Sequence, residues 1–275
     1  MNINDSKTKV KKAFPFPGFV DDSFNGAVDN IANTIQQHLE SGSKILDFGS
    51  GSCDKTAVIQ CLGYECSAFD DLGDDWHRKG DNLKTILEFT HKFNIDLKLA
   101  ENGYLPFPKN HFDMVMSHDV LEHLHDSPRE MLNDLCGLLK PNGLLFLTVP
   151  NAVNIRKRIA VLRGETNLPV FGTYYWYPGA WRGHVREYVK KDLRLLSQYL
   201  GLEILELRSC HHMLQAVPPK LLPLYKFLTK IFPGWRDSWT LVARKPSDWE
   251  PKRTLTAEEF NNIMGKYSPY YTTLS

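Results

Sequence analysis

The chain has 275 residues, 42% hydrophobic and 24% charged, enough to bury a full core without disulfide or metal staples. Its formal net charge of +1 excludes a broad electrostatic grip on nucleic acid, and no run is long and apolar enough to span a bilayer. Five cysteines (Cys53, Cys61, Cys66, Cys136, Cys210), odd in number and without a Cys-x-x-Cys pair, fit free thiols in a reducing cytosol better than a disulfide framework.

The first residues, MNINDSKTKVKK, are polar and lack the apolar stretch of a signal peptide, so a cytoplasmic address is expected. Residues 1–26, with Phe14-Pro15-Phe16-Pro17-Gly18, read as an irregular leader. Ile31, Ile35 and Leu39 predict a helix over 27–40. Short apolar runs then alternate with helical patterns. Lys44–Phe48 reads as a buried strand, 54–62 as a helix and Glu65–Phe69 as a second strand ended by Asp70-Asp71. Residues 81–93 suit a helix, Ile95–Ala100 a third strand and Phe112–Ser117 a fourth. Ser127-Pro128-Arg129-Glu130 offers an N-cap serine, a proline at the first helical position and a glutamate three residues after the cap. The helix it starts carries Leu132, Leu135, Leu138 and Leu139 and stops at Lys140-Pro141-Asn142-Gly143, before a fifth strand, Leu144–Val149. A helix over 189–200 stopped by Gly201, a strand at Leu202–Leu207 and a last strand at Trp239–Ala243 follow. This alternation predicts an α/β chain with a doubly wound, mostly parallel sheet. Residues 150–183 and 210–237 interrupt it as aromatic-rich and helical insertions.

The first strand runs into Asp47-Phe48-Gly49-Ser50-Gly51-Ser52-Cys53. Small residues let backbone approach a ligand there, and the next helix offers free N–H groups and a positive dipole end. That arrangement also suits dinucleotides. Here, however, the pattern G-x-G-x-x-G ends on Asp54, and that carboxylate and Asp47 would repel a pyrophosphate. A cationic sulfonium nucleoside with an ammonium group meets no such repulsion. About 20 residues on, Asp70 ends the second strand, where a carboxylate can accept from both ribose hydroxyls. Alternatively, Asp-Asp-Leu-Gly is simply good turn chemistry.

The ordered pieces Leu105-Pro106-Phe107, Phe112-Asp113-Met114-Val115, Val120-Leu121-Glu122-His123-Leu124, Lys140–Leu144, Val149-Pro150-Asn151 and Gly183–Tyr188 extend this pattern. Together they resemble class I S-adenosylmethionine-dependent methyltransferases, in particular a bacterial small-molecule group and, more distantly, the ubiquinone-pathway O-methyltransferases. The likeness covers residues 40–150 and 183–245. It implies a Rossmann-like methyltransferase fold of seven strands with one antiparallel strand near its edge. It implies that Asp47 holds the methionine amino group of S-adenosylmethionine and that Gly49, Ser50 and Gly51 shape the cofactor turn. Asp70, with Asp71 beside it, would bind ribose. Glu101 and Asn102 would lie near adenine, and Ser117 and His118 beside the reactive methyl. Two departures stand out: Cys53 occupies a position where a third glycine is often found, and Glu101 replaces the more frequent aspartate. The organisation expected is a leader and helix over 1–40, a cofactor-binding core over 41–150 and an acceptor-side insertion over 151–188. The second part of the sheet, 189–245, carries the insertion 210–237, and 246–275 is a polar tail.

Methyl transfer from a sulfonium is an in-line displacement in which the protein mainly orients and desolvates. An oxygen acceptor gains from a general base, and His118, His123 and His184 are candidates, His118 and His184 foremost. His118 reads equally well as a wall residue. Asp119, Glu122 and His123 lie close enough on a helical turn to hold a divalent ion, as in the ubiquinone-pathway enzymes, or else serve structure. Between 150 and 188, arginines and Tyr174-Tyr175-Trp176-Tyr177 suit a saccharide, a lipid-linked sugar or a quinone-like ring, or form a lid packed on the sheet. Residues 218–235 mix Leu, Tyr, Phe and Ile with Lys220, Lys226 and Lys230, which suits the inner membrane surface, a homodimer contact or packing on their own domain. Two other functions share the sheet type: a nicotinamide-dependent oxidoreductase, which needs the phosphate turn that Asp54 spoils, and a non-catalytic nucleoside-binding protein.

Overall fold

A computed structural model describes residues 1–20, 26–100 and 105–264 of the chain. Seven strands form one sheet: β1 (Lys44–Phe48), β2 (Glu65–Asp70), β3 (Asp96–Leu99), β4 (Phe112–His118), β5 (Leu139–Pro150), β6 (Glu203–Cys210) and β7 (Ser238–Arg244). Their order is β3-β2-β1-β4-β5-β7-β6, and β7 alone runs antiparallel, between β5 and β6. The expected mostly parallel, doubly wound sheet with one antiparallel strand is therefore observed. The order turns back between β1 and β4, and an open α/β sheet binds ligands at such a switch, beyond the carboxyl ends of its strands.

The helices are α1 (Ile3–Ala13), α2 (Val28–His38), α3 (Asp54–Cys61), α4 (Asp75–Arg78), α5 (Asn82–Lys92) and α6 (Arg129–Leu138) in the first part of the chain. α7 (Ile155–Leu162), α8 (Phe171–Tyr175), α9 (Lys190–Tyr199), α10 (Leu222–Ile231) and α11 (Ala257–Met264) follow. Helices cover both sheet faces, so the central strands read as continuous apolar runs rather than alternating ones. Successive residues still part to opposite faces. Ile45, Met114, Met116, Phe146 and Val242 join one core cluster with Ile31 and Ile35 of α2. Leu46, Val115, Leu145, Leu147 and Leu241 join another with Leu132 and Leu135 of α6 and Leu193 of α9. Each such buried side chain contributes about 1.5–3 kcal/mol.

Three local expectations are corrected. The leader contains α1, whose sequence is too polar for periodicity to reveal. The Asn2 side chain caps it by accepting from the Asp5 amide at 2.8 Å, and fully buried Val10 docks it in a cluster with Ala57 and Val58 of α3. Second, Lys140–Gly143 is part of β5, where the register against β4 shifts between Phe112 and Met114. The Asn142 amide and the Gly143 carbonyl pair there with Lys245. Third, the Ser127 hydroxyl accepts from the Arg129 amide at 3.4 Å, but Glu130 turns outward to Arg129 and Arg253 instead of closing a capping box. The described start of the polar tail is anchored. The Trp249 indole donates to the Leu200 carbonyl at 2.6 Å, and Lys252 exchanges backbone bonds with the Asn133 amide group on α6.

Candidate active site

The turn after β1 forms one end of the switch point. Gly49 lies at φ +77°, and a Cβ there would meet Val120 Cγ2 at 2.2 Å, so only glycine lets the turn pass under Val120. Gly51 lies at φ +53° with open space before it. Cys53 also sits in the left-handed region, at φ +61°, immediately before α3. That backbone explains why glycine is frequent at this position and marks Cys53 as the strained alternative. The Ser50 hydroxyl turns inward to the Cys53 thiol at 3.3 Å.

Asp70 ties this turn to the end of β2. One carboxylate oxygen accepts from the Gly51 amide at 2.8 Å and the other from the Leu72 amide at 2.7 Å. A carboxylate has about four acceptor positions, so about two remain for ligand hydroxyls. Burial raises the Asp70 carboxyl above its ordinary range, against the pull of the two amides.

A cleft of about 480 Å³ opens beyond these strand ends, within the range of roughly 300–1,000 Å³ usual for small-ligand sites. Gly49, Gly51, Asp70, Asp71, Asp119 and His123 all line it, as do Asp74, His77, Trp181 and Arg182. Arg182 locks the insertion onto the cleft. Its guanidinium reaches Asp74 at 2.7 Å and Asp71 at 3.1 Å, and its carbonyl accepts from His123 Nδ1 at 2.7 Å. Burial alone would raise the Asp71 carboxyl, but Arg182, the Gly73 amide and Arg78 hold it below its ordinary value. Asp71 is thus engaged by the insertion.

Other expected site residues stand behind the wall. Asp47 is buried and accepts from the Thr56 hydroxyl at 2.6 Å; burial pushes its carboxyl up to about 7, outweighing Thr56 and Lys55. Ser117 is fully buried and its hydroxyl has no partner among the described residues. His118 packs edge-on against Phe146, with Nδ1 3.1 Å from the Thr148 hydroxyl and Nε2 unpartnered. Burial, with Lys55 and His212 nearby, pushes the ring down to about 3, so it is uncharged at neutral pH and a weak proton acceptor. Glu101 and Asn102 lie outside the described residues.

The suggested metal set is rearranged. Asp119, at φ +55°, turns its carboxylate to His212 Nδ1 at 3.2 Å, away from Glu122 and His123. In its place His184, from the insertion, brings Nε2 to 3.9 Å from Glu122 Oε1. His123 Nε2 lies at the same distance from that oxygen. Glu122 is fully buried, and burial, with Asp119 and Glu187, raises its carboxyl.

Sequence reasoning missed His77 and Asp74, and it grouped Arg182 with the acceptor-side arginines rather than with the carboxylates of the cleft. His77 is buried beside the cleft with neither ring nitrogen partnered among the described residues. Its signal is the polar run Asp74-Asp75-Trp76-His77 just past the carboxylate that ends β2, a run with no motif or periodicity to mark it as a site.

A seven-stranded sheet in this order, with a glycine turn and a strand-end carboxylate meeting at its switch point, defines a Rossmann-like methyltransferase fold. The profile of a methyltransferase-domain family matches residues 23–207, and the chain belongs to that family. Solved structures agree. An S-adenosylmethionine-dependent methyltransferase from Aquifex aeolicus superposes with a TM-score of 0.52 at 15% identity, covering 86% of this chain and 97% of that one. A phosphoethanolamine N-methyltransferase from Haemonchus contortus gives 0.55 at 17%, covering 90% and 61%. The [4+2]-cyclase SpnF gives 0.51 at 19%, covering 81% and 82%. Identities this low speak for the fold alone, and a cyclase among them means that chemistry must be argued from the site. No curated protein matches the chain in sequence.

Proposed function

We propose that this chain transfers the methyl group of S-adenosylmethionine to an oxygen of a small-molecule acceptor, a saccharide or a lipid-linked sugar. The charge of the cleft carries the reading. Asp70, Asp71, Asp74 and Asp119 line it against the single guanidinium of Arg182. Asp54, buried and turned to Ser52 and Lys55, adds nothing at the wall. Four carboxylates repel a pyrophosphate and attract a sulfonium with an ammonium group. The family membership weighs in the same direction against the oxidoreductase reading.

The residues fit the cofactor. Asp70 has acceptor positions left for two ribose hydroxyls, the open face of Gly51 admits close approach, and the unpartnered nitrogens of His77 await a polar ligand atom. When bound, S-adenosylmethionine supplies an activated methyl and its own leaving group. The chain then orients the acceptor and excludes water. Trp181 offers a ring face to a sugar or flat acceptor, and Gly183 makes room for it, since a Cβ there would strike the indole at 2.0 Å. Asp119, paired with His212 at the end of β4, is placed to take the acceptor proton, while neutral His118 packs behind it.

A lipid-linked acceptor draws support from α10. Leu224, Phe227 and Ile231 stand on one stripe, each more than half exposed, and residues 211–236 contain no acid. No described helix is long and apolar enough to cross a membrane.

Calorimetry tests the core of this reading. S-adenosylhomocysteine should bind and NAD should not. Asp70→Ala should lower that affinity by on the order of tenfold or more, through loss of charged hydrogen bonds, and His184→Ala should change it little. NAD binding, or equal losses in the two variants, would overturn the assignment.

A further inference from the structure

Three hydrogen-bond acceptors converge beside the cleft with no donor among them. Glu122, on the single turn Leu121–His123, is fully buried, and neither carboxylate oxygen has a hydrogen-bond partner among the described residues. His123 Nε2 and His184 Nε2 each stand 3.9 Å from Glu122 Oε1. The other nitrogen of each ring is committed as a donor. His123 Nδ1 faces the Arg182 carbonyl at 2.7 Å, which can only accept. His184 Nδ1 faces Glu187 Oε1 at 2.7 Å, and Lys157 holds the second oxygen of that carboxylate. As neutral rings, both therefore present an Nε2 lone pair toward a carboxylate.

Burying the Glu122 carboxylate without a donor or a positive charge is costly. A proton on Glu122 satisfies one contact; a metal ion satisfies all three. The candidate ligand atoms already lie within 4.8 Å of one another. A contraction of roughly 1 Å would bring them to a shared ion at about 2.0–2.2 Å. The second-nitrogen contacts on both histidines are those that orient metal-bound imidazoles. Two imidazoles and one carboxylate suit zinc-type ions better than magnesium or calcium.

We propose that Glu122, His123 and His184 hold a divalent first-row transition ion of the zinc type, with an open coordination position toward the cleft. His123 lines the cleft, and the two histidine side chains are 39% and 34% exposed, so the fourth position is accessible. For what that position takes, an acceptor oxygen whose proton the ion acidifies, the inference rests on the methyl-transfer reading above. The ion site itself does not.

The test is titration of the chelator-treated full chain with Co²⁺, read by visible absorption. One saturable equivalent, displaced by Zn²⁺, is expected. His123→Ala and His184→Ala should each weaken binding by on the order of 100-fold. His91→Ala, exposed on α5 and outside the ligand set, should leave Co²⁺ affinity within about twofold. Because Glu122 is buried and its loss could unfold the chain, the part-exposed histidines carry the test. Absence of a saturable band, or binding indifferent to His184, overturns the site. S-adenosylhomocysteine calorimetry on the same samples separates the two claims. Nucleoside binding without Co²⁺ binding refutes this inference alone, and Co²⁺ binding without nucleoside binding refutes the methyl-transfer reading alone.

Discussion

Gly49→Ala tests whether the cofactor turn is built as described. The new Cβ would lie 2.2 Å from Val120 Cγ2, with Val120 Cβ and Cγ1 both at 3.4 Å, so rotating the valine merely exchanges contacts. The left-handed backbone costs about 1–2 kcal/mol for a residue with a Cβ. The overlap adds about 1–3 kcal/mol of overpacking. Val120→Ala alone should cost about 1 kcal/mol for its lost methyl groups. In the double variant the overlap vanishes, leaving about 2–3 kcal/mol where simple addition gives about 3–6. Urea denaturation of the four proteins measures the cycle, and calorimetry with S-adenosylhomocysteine should follow it, because the same turn carries the Gly51 amide to Asp70. Strict additivity would mean that Val120 does not cover Gly49 and that the turn takes another path.

Burial pushes the Asp47 carboxyl from its ordinary 3.8 to about 7, so the folded chain binds this proton more tightly than the unfolded one. Its contribution is fully present below about pH 4 and lost as pH rises through 7, at about 1.4 kcal/mol per unit and at most about 4 kcal/mol in total. Asp47→Asn should therefore be more stable than the parent at pH 8 and converge with it toward pH 4 in urea melts; a parent favoured at pH 8 would contradict the burial. Phe227→Asp should reduce co-sedimentation with anionic vesicles if α10 meets a lipid surface, and unchanged sedimentation would discard the lipid-linked acceptor. Arg182→Ala should speed proteolytic cleavage within 165–181, since it removes the contacts to Asp71 and Asp74 that pin the insertion.

The sheet was legible because its strands are buried on both faces. Runs such as Lys44–Phe48 and Phe112–Ser117 admit few other readings, and DFGSGS marks the turn. What was hidden lay in docked polar segments and in contacts made across sequence. α1 carries too little apolar surface to announce itself and depends on the Asn2 cap and Val10. Asp119 and Glu122 share a turn in the chain, yet the left-handed backbone at Asp119 sends its carboxylate to His212. No spacing rule foretells that, nor that His184 would arrive beside His123 from beyond an insertion. The repulsion assigned to Asp54 belongs physically to Asp70, Asp71, Asp74 and Asp119.

The same insertion joins the two sides of the site. Arg182 places its guanidinium on the carboxylates past β2 and its carbonyl on His123, and two residues later His184 completes the group around Glu122. Moving the 181–187 stretch must then disturb the carboxylates past β2 and the group around Glu122 together. Asp71 gains its low proton affinity from this contact, so the negative charge offered to a sulfonium depends on where the insertion sits. A cofactor that draws Asp71 away from Arg182 would loosen the carbonyl that fixes the His123 ring, and an acceptor held at His123 would tighten it. On the proposed reading of the site, this single arginine would couple donor and acceptor binding without any movement of the sheet.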